Sequence, residues 1–280
     1  MKNFKNLTLV LALAMGITVV SCTKDTASVV DEEQAEAVGI SQDVLEKASS
    51  LYFNTDDLQE SNIIKPDGTE EQAYLIEGDI VMSHDQLMNM ELGDGTGSEQ
   101  YRTNNLVSQN RTIRVIGYTG GGGYGLSSNM QTALQWAINN YNALNISLTF
   151  TLTFGTNYQS YDIVVYRVPN GQAGGVAGFP SGGNPYKWVQ IFSGMDNYNT
   201  NVNEHVIGHE IGHSVGLRHT DWFSRQSCGQ SGESANPDGA VHIPGTPTGY
   251  DPTSLMLACF NSGVDGEFNN NDRIALEYLY

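Results

Sequence analysis

The chain is short of three things, and each shortage excludes a class of protein. Positive charge is scarce: 13 Lys and Arg stand against 31 Asp and Glu, a formal net charge of −18. A chain this acidic offers no basic face for nucleic acid. Cysteine is scarce too, at three residues (Cys22, Cys228 and Cys259), none in a CxxC spacing. That excludes a cysteine-rich metal ribbon. No thiolate is available between Thr23 and Ser227 either. Long apolar runs are the third shortage. Leu7 to Val20 is followed by no second stretch of membrane length, so no further transmembrane helix is expected.

Histidine is also sparse, yet well placed. Of six histidines, three fall in the string His209-Glu210-Ile211-Gly212-His213-Ser214-Val215-Gly216-Leu217-Arg218-His219. Residues four apart on a helix share a face, so His209 and His213 can address one metal ion. Gly216 permits the left-handed turn that ends a helix and brings His219 back as a third ligand. Three imidazoles leave a fourth position open, the pattern of a catalytic rather than a structural zinc site. Glu210, beside the first ligand, is placed to act on water as a general base. His205, one turn earlier, is read as packing beside the site and not as a fourth ligand. Asp221, two residues beyond the third ligand, either holds a ligand imidazole by a hydrogen bond or is a solvated loop carboxylate.

Charge divides the chain. Thr23 to Asn105 holds 19 acidic and 4 basic residues, Leu106 to Tyr280 only 12 and 7. We therefore expect a signal segment over 1–21, an acidic segment over 22–105 and one catalytic domain over 106–280. Lys2 and Lys5 before the apolar run, and Val19-Val20-Ser21-Cys22 after it, read as a signal peptide and resemble a bacterial lipobox. Cys22 would then carry lipid and anchor the protein to a membrane. The acidic residues that follow resemble the tethers of Bacteroidetes surface lipoproteins. These features imply a cell-envelope protein, at the outer membrane or cell surface, with the catalytic domain open to release by processing.

The acidic segment is either a tether or a pro-segment covering the site, and we favour the second. Tyr74 to Met82 has strand character, and Ser83 reads as a helix cap. A blocking carboxylate could be Glu77, Asp79 or Asp85. Processing is expected between Arg102 and Arg111. Downstream, strands are expected near 112–118, 146–154, 162–168 and 187–192. A helix is expected from Ser127 or Ser128, and Asn201 with Glu204 reads as a capping box opening the motif helix. The glycine-rich stretch 171–185 suits close approach of another backbone, such as an extended peptide added as a strand. Cys228 and Cys259 could pair in an oxidising compartment.

The motif, followed 37 residues after His219 by Met256 in the turn Ser254-Leu255-Met256, resembles the metzincin metallopeptidases. His-Glu-Ile-Gly-His, then Arg218-His219-Thr220-Asp221 and Ile243-Pro244-Gly245-Thr246-Pro247, look like the dual-action HEIGH metallopeptidases. The resemblance covers about Thr112 to Tyr280. It implies an α+β zincin domain with a twisted mixed sheet, an active-site helix and a loop-rich C-terminal subdomain ending in a helix. It further implies one Zn²⁺ held by His209, His213 and His219, Glu210 as general base, Met256 beneath the metal, and a protein or peptide substrate. No tyrosine closely follows Met256, so the additional tyrosine ligand of astacin-like enzymes is not supported. The alternative is a non-catalytic cell-surface binding module on the same fold, and a third reading directs the zinc chemistry at a small amide.

Overall fold

The computed structural model describes residues 39–91, 101–222, 224–230, 241–247 and 249–280. Cys22 and the signal segment lie outside them. Among the described residues no helix is long and apolar enough to cross a membrane.

The described part of the acidic region holds helix α1 (Gln42–Ser50), an antiparallel sheet of β1 (Gln59–Ile64), β2 (Glu70–Ile76) and β3 (Ile80–Met82), and helix α2 (His84–Asn89). The expected strand over 74–82 is thus two strands joined by a tight turn. Ile76 pairs with Ile80 across it, and Glu77 (φ +54°) and Gly78 (φ +87°) occupy the left-handed region that such a reversal requires. Ser83 caps α2 with a full capping box to Gln86. Val44, Ala48, Leu51, Phe53, Ile76, Ile80 and Leu87 form a small core of their own, closed on one side by Phe179.

A two-stranded ladder then joins β4 (Tyr101–Arg102) to β10 (Val241–His242). The stretch after β4 is stitched into the body of the protein. Thr103 N–H donates to Gly216 O at 2.9 Å and Val107 N–H to the Tyr280 hydroxyl at 3.2 Å. The stretch between Arg102 and Arg111, where processing is expected, thus packs with the body of the protein.

The central sheet contains β5 (Arg111–Tyr118), β6 (Leu148–Gly155), β7 (Ile163–Val168), β8 (Gly175–Val176) and β9 (Trp188–Phe192), in the order β6-β5-β7-β9-β8. All neighbours are parallel except β8, the antiparallel edge. Helix α3 (Ser128–Asn142, capped by Ser127) makes the crossover from β5 to β6. Strand alternation sorts the two faces. Ile113, Val115, Ile163, Val165, Val189 and Ile191 join the main core with α3 and with helix α4 (Thr200–Ser214). Ile116, Val164, Tyr166 and Val168 turn to the other face, against Tyr158 and Trp188. A loop-rich stretch leads to the last helix, α5 (Asn270–Leu279). The mixed α+β architecture expected from the sequence is therefore the one observed.

Two local expectations shift. Helix α4 is capped by Asn199, whose side chain accepts from Val202 N–H, and not by Asn201. Glu204 instead accepts from Asn140 Nδ2 on α3 at 2.9 Å, tying the two helices. Burial, with Glu267 nearby, pushes its carboxyl up to about 7. At the other end of the domain, Asp272 does more than cap its own helix. Its carboxylate accepts from Ser254 Oγ at 2.7 Å, Leu255 N–H at 2.9 Å and Asn269 N–H at 3.0 Å, so α5 holds the turn that carries Met256.

Asp272→Ala would strand buried donors at Ser254 and Leu255, each costing on the order of 1–3 kcal/mol. A loss of about 3 kcal/mol in urea unfolding is expected, and a loss under 1 kcal/mol would show the turn to be held elsewhere.

Candidate metal centre

Helix α4 has no polar face to show water: Val202 to Ser214 are all buried. Its charged and imidazole groups therefore need partners inside the protein. His209 Nδ1 lies 2.8 Å from Leu255 O, and His213 Nδ1 lies 2.8 Å from Leu217 O. Carbonyl oxygens only accept, so both Nδ1 atoms carry the proton and both Nε2 atoms present lone pairs inward. His219 Nδ1 makes the corresponding contact with Glu77 Oε2 at 3.2 Å. The three rings meet at centroid separations of 4.6, 5.2 and 4.8 Å.

The glycines of the motif have separate tasks. A Cβ on Gly212 would sit 2.5 Å from Met256 Sδ, so the helix rests directly on that side chain. Gly216 (φ +109°) turns the chain out of the helix, and Leu217 N–H then donates to Gly212 O at 2.9 Å. Thr220 N–H donates to Met256 O at 2.8 Å, which joins the residue after the third histidine to the methionine turn.

The fourth group at this centre comes from the acidic region. The β2–β3 turn inserts Asp79 between the histidines. Asp79 Oδ2 lies 3.0 Å from His219 Nε2 and 3.3 Å from His209 Nε2, and Oδ1 lies 3.8 Å from His213 Nε2. Asp79, His209, His213 and His219 form a cluster with all four ligand atoms within 4.8 Å of one another. Of the three carboxylates singled out in the sequence, Glu77 is beside it, making its contact through His219. Asp85 is exposed in the first turn of α2. The Glu-Gly-Asp triplet between two apolar runs is a hairpin-turn signal, and reading it so would have singled out the turn.

Glu77 is fully buried in left-handed backbone. Its oxygens meet His219 Nδ1, Arg218 Nη2 at 3.0 Å and Asn54 N–H at 3.2 Å. Burial alone would raise its pKa, but Arg218 and His219 outweigh that and hold it below the usual carboxylate range. Arg218 stacks over Phe53 and reaches the carbonyls of Leu51 and Tyr52, all in the acidic region. Burial works against charge on His219 as well, yet Asp79 and Glu77 push its pKa up to about 10. Glu210, buried and next to Asp79, is driven well above the usual range.

The backbone of the acidic region also occupies the sheet edge. Ile80 bridges Ala177 in parallel; Val81 N–H donates to Ala177 O at 2.8 Å and Ala177 N–H to Asp79 O at 3.0 Å. A Cβ on Gly178 would lie 2.5 Å from Val81 O, and one on Gly175 would lie 2.9 Å from Glu210 Cγ. Glycine is required at both positions, at Gly178 by backbone and at Gly175 by the Gln190 carbonyl and the Glu210 side chain. The close backbone approach expected for this stretch is made by the chain itself.

Asp221 does neither of the things expected of it. It is fully buried, and its oxygens accept from Ser227 N–H and Ala258 N–H, each at 2.9 Å. All three imidazoles have other Nδ1 partners, so none is left for it. Asp221 and the Cys228–Cys259 disulfide together clamp the segment after His219 to the segment after Met256. His205 lies outside the cluster, its ring 6.4 Å from that of His209 and 5.7 Å from Phe260. Burial, with His209 nearby, holds its pKa down to about 3, so it is neutral.

With this geometry in hand, the chain can be set beside known families. The model of the dual-action HEIGH metallopeptidases matches residues 74–280. The chain belongs to that family. It is a metallopeptidase, and the His209, His213 and His219 cluster is where a metal ion would be held. The match begins at Tyr74, inside the acidic region, and so takes in the turn that carries Glu77 and Asp79. Two solved structures of myroilysin are similar at 12% and 13% identity, each with a TM-score of 0.38. They cover 60% and 65% of this chain and 79% and 90% of theirs. No curated protein matches.

Removing the Glu77 carboxylate takes an acceptor from a buried guanidinium and from a ligand imidazole at once. Glu77→Ala should lower the stability of the full chain by about 3 kcal/mol, read by chemical denaturation. An unchanged midpoint would mean that Arg218 and His219 do not depend on this carboxylate.

Proposed function

We propose that the chain is a zinc-dependent endopeptidase kept latent by its own acidic region. The observation that carries this reading is the Asp79 carboxylate set among three imidazole Nε2 atoms, at the position a substrate or water would need. The donor set fits zinc. Ligands about 2.0–2.1 Å from a tetrahedral ion stand about 3.3 Å from one another. His213 Nε2 to His219 Nε2 is 3.2 Å, and the Asp79 distances are 3.0, 3.3 and 3.8 Å. When bound, zinc supplies Lewis acidity, making water more acidic and polarising a carbonyl oxygen.

The rest of the chemistry falls to the chain. Glu210 is buried, and its Oε2 has no hydrogen-bond partner among the described residues, as suits a group that takes up and gives back a proton. It accepts the proton of the attacking water as oxygen bonds to the peptide carbon. It then delivers that proton to the leaving nitrogen as the C–N bond breaks. The edge formed by β8 and the next residue, Ala177, would take the substrate as an added strand, a role supported by the hydrogen bonds Ala177 already makes with Asp79 and Val81. In this reading residues 22–105 act as a pro-segment and Asp79 as the latch, with Glu77 fixing the turn through Arg218 and His219. The N-terminal lysines, apolar run and Cys22 support export and lipid anchoring in the cell envelope.

Glu210→Gln should keep zinc, measured by metal analysis, and lose at least 10²-fold in peptide cleavage; full activity in this variant would sink the mechanism. Asp79→Ala in the intact chain should cleave a generic fluorogenic peptide at least tenfold faster than the unaltered chain. If zinc is bound and the two chains are equally silent, Asp79 is not the latch.

A further inference from the structure

Beside the metal centre lies a pocket of about 300 Å³ between the first half of α4, the glycine-rich edge and the segment after Met256. Its lining is largely apolar, including Val206, Phe192 and Leu257, but besides His209 of the cluster two buried nitrogen-bearing side chains reach it, Arg225 and His205. Neither is used by the chemistry above. Among the described residues His205 Nε2 has no hydrogen-bond partner, nor has Arg225 Nε.

Arg225 is held in place at a conformational cost. Its backbone is left-handed (φ +45°, ψ +37°), strained for a residue with a side chain. Arg225 N–H donates to Asp221 O at 2.6 Å, and Arg225 O accepts from Cys228 N–H at 2.9 Å. Cys228 is in turn bonded to Cys259 on the facing wall. Asp221, fully buried, pins the same loop through Ser227 and Ala258. These contacts fix the backbone from which the Arg225 guanidinium reaches the pocket.

Its present partner is Asp57 of the acidic region, at 2.7 Å. Asp57 does not itself line the pocket; it is one of three carboxylates with which this region meets buried nitrogen groups of the body. Glu77 goes to Arg218 and Asp79 to the histidines. Resting on the reading of the acidic region as a pro-segment, we propose that Arg225 determines specificity. Once the segment leaves, the pocket takes an acidic side chain of the substrate next to the scissile bond. Asp57 stands in for that side chain in the latent chain. The neutral imidazole of His205 offers a donor for a second carboxylate oxygen, and the apolar walls strengthen the ion pair by excluding water. Other carboxylates at the pocket, Glu77 and Asp79, belong to the segment that leaves; Glu210 remains and faces the reacting bond.

The test uses the full chain, zinc-loaded, with Asp79→Ala to open the latch and Asp57→Asn to vacate Arg225. Fluorogenic peptides differ only in carrying Glu, Gln or Lys at one position on either side of the cut. At one position the Glu peptide should be cleaved at least tenfold faster in kcat/KM. Adding Arg225→Gln should bring that ratio to about one, and Arg225→Glu should turn the preference to Lys, an inversion that no misfolded variant can produce. Equal cleavage of Glu and Gln peptides at every position overturns the inference, as does a preference that survives Arg225→Gln. Both leave the peptidase reading intact. Zinc-loaded protein inert toward every peptide overturns the peptidase reading, and this inference with it.

Discussion

The meeting of one carboxylate with three imidazoles is the contact on which the rest of the structure turns. Its cost is the desolvation of four polar groups, and the surrounding fold is arranged to offset that cost. Two of the imidazoles are oriented by carbonyls of the methionine turn and of the helix exit, and the third by a buried carboxylate from the same hairpin that supplies Asp79. The turn at Glu77 and Gly78, the pairing of Ile80 and Val81 with Ala177, and the stacking of Arg218 on Phe53 all serve to bring that hairpin to one depth and hold it there. If the three ring nitrogens did not converge, none of these contacts would have a common purpose.

The sequence disclosed the catalytic side well and the latent side poorly, for a physical reason. His209, Glu210, His213, Gly216 and His219 lie within 11 residues, so local helix geometry relates them before any tertiary contact is known. Met256 is farther away but its neighbourhood repeats a family pattern. The central strands show alternation strong enough to read, and Ser127, Ser83 and Asn269 announce their helices by side-chain caps. Asp79, in contrast, reaches its partners across 130 to 140 residues. The Glu-Gly-Asp turn signal sets it apart from Asp85, but nothing local distinguishes it from Glu77, because a carboxylate becomes a metal-site group only through the way the turn carries it. The same holds for Asp221. Its spacing from His219 suggested an imidazole partner, whereas burial gave it two backbone amides from distant loops. The Asn201–Glu204 box failed because Asn199 offers an equally good cap two residues earlier, while Glu204 is drawn inward by Asn140 on the facing helix.

Asp221, the Cys228–Cys259 bond and Asp272 form a second tier of support. They touch neither the metal ligands nor Glu210, yet they set the distance between the two loops that face each other across the pocket. Asp272 joins the last helix to the methionine turn, and through Leu255 O to His209. The C-terminal helix thereby bears on the orientation of the first ligand, though it lies at the far end of the chain.

The hairpin and the site it fills are parts of one polypeptide. A tethered group of this kind faces its target at an effective concentration of about millimolar, whatever the concentration of the protein. In the proposed reading, latency of this origin would be indifferent to dilution or crowding while the chain is whole. Cutting the chain anywhere between Asp79 and the body converts the same contacts into a bimolecular association, which then weakens as the fragments disperse. One peptide bond thus separates an inhibitor that volume cannot dilute from one that it can.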